Sequence, residues 1–150
     1  MNENQQPNGP KAWIQISPDP IPVEEILQRV RDLRCGAVVL FLGTVRELTD
    51  GRRTVSLSYE SYEQMAELEI RKLIREAQAS WPLRHVAIQH RIGPLQLGDD
   101  AVAVAVSSPH RKEAFAAAEF LMDRIKQTVP IWKQEHWSDG QSEWIHPGAE

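Results

Sequence analysis

AVAVAVSSPHRKEAFAAAEFLMDRIKQTVPIWKQE, residues 101–135, places a strand, a helix and a second extended segment in one run. Its first part alternates alanine and valine, the period-two pattern of a strand, in residues small enough for close packing. Ser108 suits a helix N-cap and Pro109 the first helical position, where a missing N–H costs nothing. Ala114, Phe115, Ala118, Leu121, Met122 and Ile125 fall on one stripe, so the middle of this helix faces a core. Pro130 stops the helix and pushes Val129 toward extended geometry. Two lysines, Lys126 and Lys133, flank that stop.

Working outward, the tail that begins at Pro130 reads as two short extended pieces around Asp139-Gly140. Upstream, RHVAIQHRIG is a strand closed by Gly93-Pro94. A helix from Tyr62 to about Ser80 carries Met65, Leu68, Leu73 and Ala77 near one face and ends at Trp81-Pro82. VSLSYES alternates Val55, Leu57 and Tyr59 on one side, after a hairpin signal at Asp50-Gly51. GAVVLFLGTV is short, continuous and valine-rich, the pattern of a fully buried strand. Ile26, Leu27, Val30 and Leu33 mark a first helix over residues 23–33, and residues 12–16 suit a short edge strand. Mixed strands and three helices in one unit predict an α+β domain, a mixed sheet with helices packed on it. The domain is expected to span residues 12–150 and to follow a disordered polar tail over residues 1–11.

The chain has 150 residues, a formal net charge of −4 and one cysteine, Cys35. A lone cysteine allows no internal disulfide and offers no zinc spacing, so no metal or other cofactor is expected. A basic stripe that would bind nucleic acid is missing. GAVVLFLG is far shorter than the roughly 20 residues that cross a bilayer. The N-terminus lacks the pattern of a signal peptide, which points to the cytoplasm. A functional cationic site must therefore be a local pocket in an acidic surface.

Candidate residues follow from where cations meet structural punctuation. His110 and Arg111 stand at the start of the long helix, where free backbone N–H groups favour an anion; a pair of solvated first-turn residues is the competing reading. Lys126 lies at the edge of the apolar stripe, where it also complements the negative end of the helix dipole. Lys133, beside Ile131 and Trp132, can lean into a pocket. Arg46 stands just past the valine-rich strand, where binding groups often project. His90 and Arg91 end a strand and read as structural, Glu60 and Glu63 as helix-start electrostatics, and Cys35 as packing. Arg111 and Lys126 are fifteen residues apart on one helix, so their Cα atoms lie about 22 Å apart. One small ligand can meet both only if two subunits share the site, as a symmetric homodimer allows.

GAVVLFLGTVR, YESYEQMAELEI, HRIGPLQLGD, SSPHRKEAF and AEFLMDRIKQTVPIWKQE occur in that order. Together they resemble the large, catalytic subunit of molybdopterin synthase over roughly residues 12–145. The resemblance implies an α+β fold with a hammerhead-like element, and a homodimer at the centre of a heterotetramer. It implies a sulfurtransferase that converts cyclic pyranopterin monophosphate to molybdopterin by inserting two dithiolene sulfurs. The sulfur would come from the C-terminal glycine thiocarboxylate of a small, ubiquitin-like partner subunit. Lys126 and Lys133 match the family's catalytic lysines. Thr44, Val45, Arg46, His110 and Arg111 match substrate contacts, the last two from the neighbouring subunit. Gln134 and Glu135 complete the stretch after the second lysine, and a basic residue is usual where Gln134 stands. A noncatalytic anion-binding α+β dimer would use the same cationic pocket without a sulfur-carrying partner. A phosphate-ester hydrolase would need a nucleophile or metal set that the sequence lacks.

Overall fold

The computed structural model describes residues 9–145. Its central element is the alternating strand, β7 (Asp100–Ser108) by chain order. The elements before it are β1 (Lys11–Ser17), α1 (Val23–Val30), β2 (Ala37–Thr44), β3 (Leu48–Thr49), β4 (Arg52–Ser61), α2 (Glu63–Ser80), β5 (His85–Arg91) and β6 (Gly93–Gln96). After it come α3 (Arg111–Thr128), β8 (Ile131–Trp137) and β9 (Ser142–Ile145). One sheet has the order β1-β5-β7-β2, with β1 parallel to β5 and the other pairs antiparallel. A second sheet runs β3-β4-β8-β9, and β6 also pairs with β4.

The alternation in β7 sorts its side chains between two layers. Val102, Val104 and Val106 join Val86 and Ile88 of β5 under α2 and α3. Ala103 and Ala105 join Ala87 on the other face, where their small size lets Ile26 and Val30 of α1 pack close. A third, smaller cluster of Val45, Leu57, Leu95 and Ala101 joins the two sheets. Asp50 and Gly51 both take positive φ, which gives the hairpin between β3 and β4 the twist that its strands require. The α+β class, the three helices and the edge position of β1 all match the sequence reading.

Several local expectations are corrected. GAVVLFLGTV is not fully buried: β2 is an edge strand and Phe41 is 40% exposed, while β5 and β7 hold the buried centre. The first helix ends at Val30 and leaves Leu33 in solvent, because Asp32 turns to bind Arg84 and His85. Val55 also faces solvent. A register shift between Thr54 and Ser56 buries Thr54 and Leu57 and turns Val55 outward. On α2 the buried stripe is Ala66, Ile70, Leu73, Ile74 and Ala77, with Met65 and Leu68 outside. On α3, Ala117 is buried and Phe115 is exposed. Ser108 is the last residue of β7 rather than a cap, and His110 occupies the N-cap position without a side-chain cap bond. Lys11 opens β1 rather than belonging to the polar tail, and the rest of the tail expectation falls mostly on residues 1–8, outside the described residues.

Candidate active site

β2 ends at a bulge. Its register against β7 shifts between Gly43 and Thr44, so Gly43 pairs with Val102 but Thr44 with Asp100. A bulge of this kind turns the following residues off the sheet, and such bulges gather beside active sites. Gly43 fits there because a Cβ would stand 2.7 Å from Val102 Cγ1. Val45 then docks on the turn between β6 and β7, donating its N–H to Asp99 O at 3.0 Å and accepting from Gly98 N at 2.8 Å. Arg46 is thereby held at the rim, and its Nε donates to Thr49 Oγ1 at 3.3 Å.

Lys126 comes from the last turn of α3. Pro130 ends that helix, the Val129 N–H closes on Ile125 O, and the chain re-enters as β8. Strand alternation on β8 turns Lys133 and Glu135 to one face and Trp132 and Gln134 to the other. The result is a cleft of about 230 Å³ lined by Thr44, Val45, Arg46, Lys126, Lys133 and Glu135, with Tyr59, His90, Met122 and Ile145 among its other walls. Both lysines reach it from different backbone directions, which is what the helix stop between them achieves.

Charge in the cleft is unevenly screened. Burial, then the positive charges of Lys126 and Arg46, hold Lys133 below the ordinary lysine value, while Glu135 pulls the other way. Glu135 is 2% exposed; its Oε1 accepts from Thr54 Oγ1 at 2.7 Å, and its Oε2 is buried with no hydrogen-bond partner in the protein. Burial, and then the Glu135 charge, push the Tyr59 phenol up to about 12. His90 is buried in the cleft wall and its value is lowered to about 4 by that burial, so the ring is neutral at pH 7. Its Nδ1 lies 2.8 Å from Arg91 O, which makes Nδ1 the donor and leaves Nε2 as an acceptor. Tyr59 packs edge-on against that ring, with centroids 4.7 Å apart. The arrangement can bind an anion and can hold or release a proton at Lys133 Nζ. No group of three or more His, Cys, Asp or Glu suited to a metal ion occurs among the described residues.

Six of the nine residues singled out in the sequence thus meet in one place. His110 and Arg111 do not: they sit at the opposite end of the 18-residue α3, outside the cleft. Gln134 points to the other face of β8, where its Nε2 donates to Ser142 Oγ at 3.3 Å. His90 and Tyr59 line the cleft although the sequence reading gave them no part in a site. Counting by twos from Val86 and Ile88 puts His90 on the face of β5 that looks toward α3, a signal that was available.

A family model described as "MoaE protein" matches residues 16–128. The molybdopterin synthase catalytic subunit of Bacillus subtilis is 49% identical over 132 residues, covering 88% of this chain and 83% of that protein. That of Halalkalibacterium halodurans is 46% identical over 130 residues, covering 87% and 83%. Among solved structures, molybdopterin synthase from Staphylococcus aureus superposes with a TM-score of 0.82 at 46% identity, over 87% of this chain and 94% of that one. A complex of subunits 1 and 2 of molybdopterin-converting factor from Helicobacter pylori shares the fold, with a TM-score of 0.65 at 19% identity over 91% of this chain and 90% of that one. At this coverage and identity, the chain belongs to the MoaE protein family of molybdopterin synthase catalytic subunits.

Proposed function

We propose that the lysine cleft is the active centre of this molybdopterin synthase catalytic subunit. The observation that carries the reading is the convergence of Arg46, Lys126 and Lys133 on one cleft from three separate elements. The substrate is cyclic pyranopterin monophosphate, and the product carries two dithiolene sulfurs. Arg46 grips phosphate oxygen, since guanidinium presents parallel donors to an oxyanion. Thr44 and Val45 shape the wall beside it. Lys126 is the main catalytic group, meeting the charge that develops as a thiocarboxylate sulfur attacks the substrate carbon. Lys133 orients the substrate, and its lowered affinity for a proton also suits it to proton transfer. Glu135 holds Lys133 in place, and Gln134 steadies β8 against β9.

The sulfur donor in this reading is the C-terminal glycine thiocarboxylate of a small ubiquitin-like partner. Attack by its sulfur at an oxygen-bearing carbon of the precursor displaces that oxygen, and water then cleaves the acyl–sulfur link so formed, releasing a carboxylate and leaving sulfur on the pterin. A second copy of this chain supplies His110 and Arg111, because one copy holds them about 22 Å from Lys126. Homodimer, heterotetramer and a cytoplasmic location belong to the same reading; no helix among the described residues is long and apolar enough to cross a membrane.

The test is product formation. Purified protein, pterin precursor and thiocarboxylated small subunit are mixed, and the dithiolene product is read by fluorescence after oxidation. Wild type gives product, and Lys126→Ala and Lys133→Ala lose most of it. Precursor binding without product in wild type would instead mark a noncatalytic anion-binding dimer.

A further inference from the structure

Two groups in the wall of the lysine cleft have no part in the chemistry described above. Tyr59 stands directly opposite Lys133 across the β4–β8 ladder, so the phenol and the lysine rise side by side from one face of the sheet. On its other flank Tyr59 pairs with Gly93, which has no side chain to cover it. His90 arrives from the other sheet, near the end of β5, and its ring meets the Tyr59 ring edge-on with centroids 4.7 Å apart. Both residues line the cleft. His90 is 6% exposed, and its Nδ1–H donates to Arg91 O at 2.8 Å, which fixes the tautomer and leaves a lone pair at Nε2. Arg91 is itself held, donating from Nε to Pro18 O at 3.1 Å and from Nη1 to Asp99 Oδ2 at 3.4 Å. Among the described residues, no group hydrogen-bonds to His90 Nε2 or to the Tyr59 hydroxyl. Burial keeps the imidazole neutral and the phenol protonated at any pH well inside the range from about 4 to about 12.

The wall thus offers a fixed acceptor beside a fixed donor. A buried acceptor left without a donor is costly, so the pair suits a ligand that presents N–H next to C=O along one edge. We infer that His90 and Tyr59 read the lactam edge of the substrate's pyrimidinone ring: His90 Nε2 accepts from the ring N–H, and the Tyr59 hydroxyl donates to the adjacent carbonyl oxygen. The inference rests on the proposed function for a pterin as substrate, and it adds what selects that ring. The other walls agree, since Met122 and Ile125 of α3 offer apolar contact to the faces of a flat heterocycle. Arg46 stays available for phosphate at the rim. A diaminopyrimidine edge presents the reverse pattern, a bare ring nitrogen where the lactam has N–H. That nitrogen would face the Nε2 lone pair in a dry wall, and the unpaired contact rejects the ring.

The test is steady-state turnover with the pterin precursor and the thiocarboxylated small subunit, in wild type, Tyr59→Phe, His90→Leu and His90→Gln, with thermal unfolding run on each. Tyr59→Phe removes only the hydroxyl, and His90→Gln keeps an acceptor near the place of Nε2. KM for the precursor should rise about tenfold in Tyr59→Phe and in His90→Leu, while KM for the small subunit stays at the wild-type value. His90→Gln should recover part of the loss. Two inhibitors then read the edge directly: 6-hydroxymethylpterin and its 2,4-diamino counterpart. Wild type should prefer the pterin by about tenfold, and Tyr59→Phe should lose most of that preference. Product formation with an unchanged KM for the precursor in Tyr59→Phe and His90→Leu would overturn the inference and leave the synthase reading standing. So would a wild type inhibited equally by the two compounds, or by neither. A rise in both KM values together with a fall in melting temperature would assign His90 and Tyr59 to the fold instead. If wild type yields no product, the inference falls together with the reading beneath it.

Discussion

The Thr54 hydroxyl donates to Glu135 Oε1 at 2.7 Å across the β4–β8 ladder, beside the irregularity between Thr54 and Ser56. Neither side chain is open to solvent: Thr54 is 0% and Glu135 2% exposed. The shifted register is what turns Thr54 inward, so an irregular strand supplies a hydrogen bond to the cleft's buried carboxylate. Thr54→Val keeps the shape and removes the donor. Leaving a buried acceptor unsatisfied costs about 1–3 kcal/mol, and urea unfolding should show a loss in that range. Thr54→Ser keeps the donor and should recover most of it. An unchanged midpoint in Thr54→Val would mean that Glu135 does not depend on this bond.

Lys133 sets the expected alkaline limit of the reaction. Its folded-state value lies below the ordinary 10.5, chiefly through burial, so between the two values the unfolded chain binds more protons. Stability therefore rises with pH across that window, and protonated Lys133 is a net cost to the fold below it. If Lys133 serves as a positive charge, kcat/KM falls as pH climbs through the lowered value. Lys133→Arg, which stays charged, should flatten that limb. Glu135→Gln removes a negative charge that raises the value, so the limb should move to lower pH. A limb that stays put in Glu135→Gln would show that another group produces it.

How far these features could be read in advance depends on whether they are local. The alanine–valine alternation of β7, the helix stop at Pro130 and the Asp50-Gly51 turn are decided by near neighbours, and all three were legible. The rank of strands in a sheet is not. GAVVLFLGTV and AVAVAVSS are similarly apolar, yet the first lies at an edge and the second inside, because pairing partners far along the chain set the order. Leu33 continues the helical period of α1 perfectly well, but Asp32 leaves the helix for Arg84 and His85, more than fifty residues away. In the site, Arg46, Lys126 and Lys133 were visible as cations beside punctuation. His90 and Tyr59 were missed: alternation along each strand gives the face that they occupy, but the cleft which that face borders is set by elements far along the chain.

Gly43 offers a direct probe of the bulge. A methyl group there would meet Val102 Cγ1 at 2.7 Å, and Val102 is 5% exposed and β-branched, with little freedom to turn away. Gly43→Ala should cost about 1–3 kcal/mol of stability, the usual range for overpacking. It should also lower turnover, because Thr44, Val45 and Arg46 follow from that bulge. Adding Val102→Ala makes room for the methyl group. Partial recovery of activity in the double variant, despite its own core loss, would assign the defect to the clash. Wild-type turnover in Gly43→Ala alone would show that the bulge does not position Arg46.

Far from the cleft, Asp32 ties the end of α1 to the sheet. Its carboxylate accepts from Arg34 N at 2.8 Å, from Arg84 Nε at 3.1 Å and from His85 Nε2 at 2.9 Å. The His85 ring also accepts at Nδ1 from Lys11 N at 3.1 Å, so one residue links β1, β5 and the α1 exit. The backbone N–H of Arg34 first, and then the Arg84 and His85 bonds against an opposing cost of burial, hold Asp32 well below the usual carboxylate range. For a carboxylate depressed in this way, the stabilisation is complete above the unfolded value, about 3.9, and fades as pH falls toward the folded one. Asp32→Asn should therefore melt earlier than wild type at pH 7. The gap should narrow steadily below about pH 4 as wild type loses the same charge. A gap equally wide at pH 7 and pH 3 would show that the amide fails for reasons of shape, with the charge contributing little.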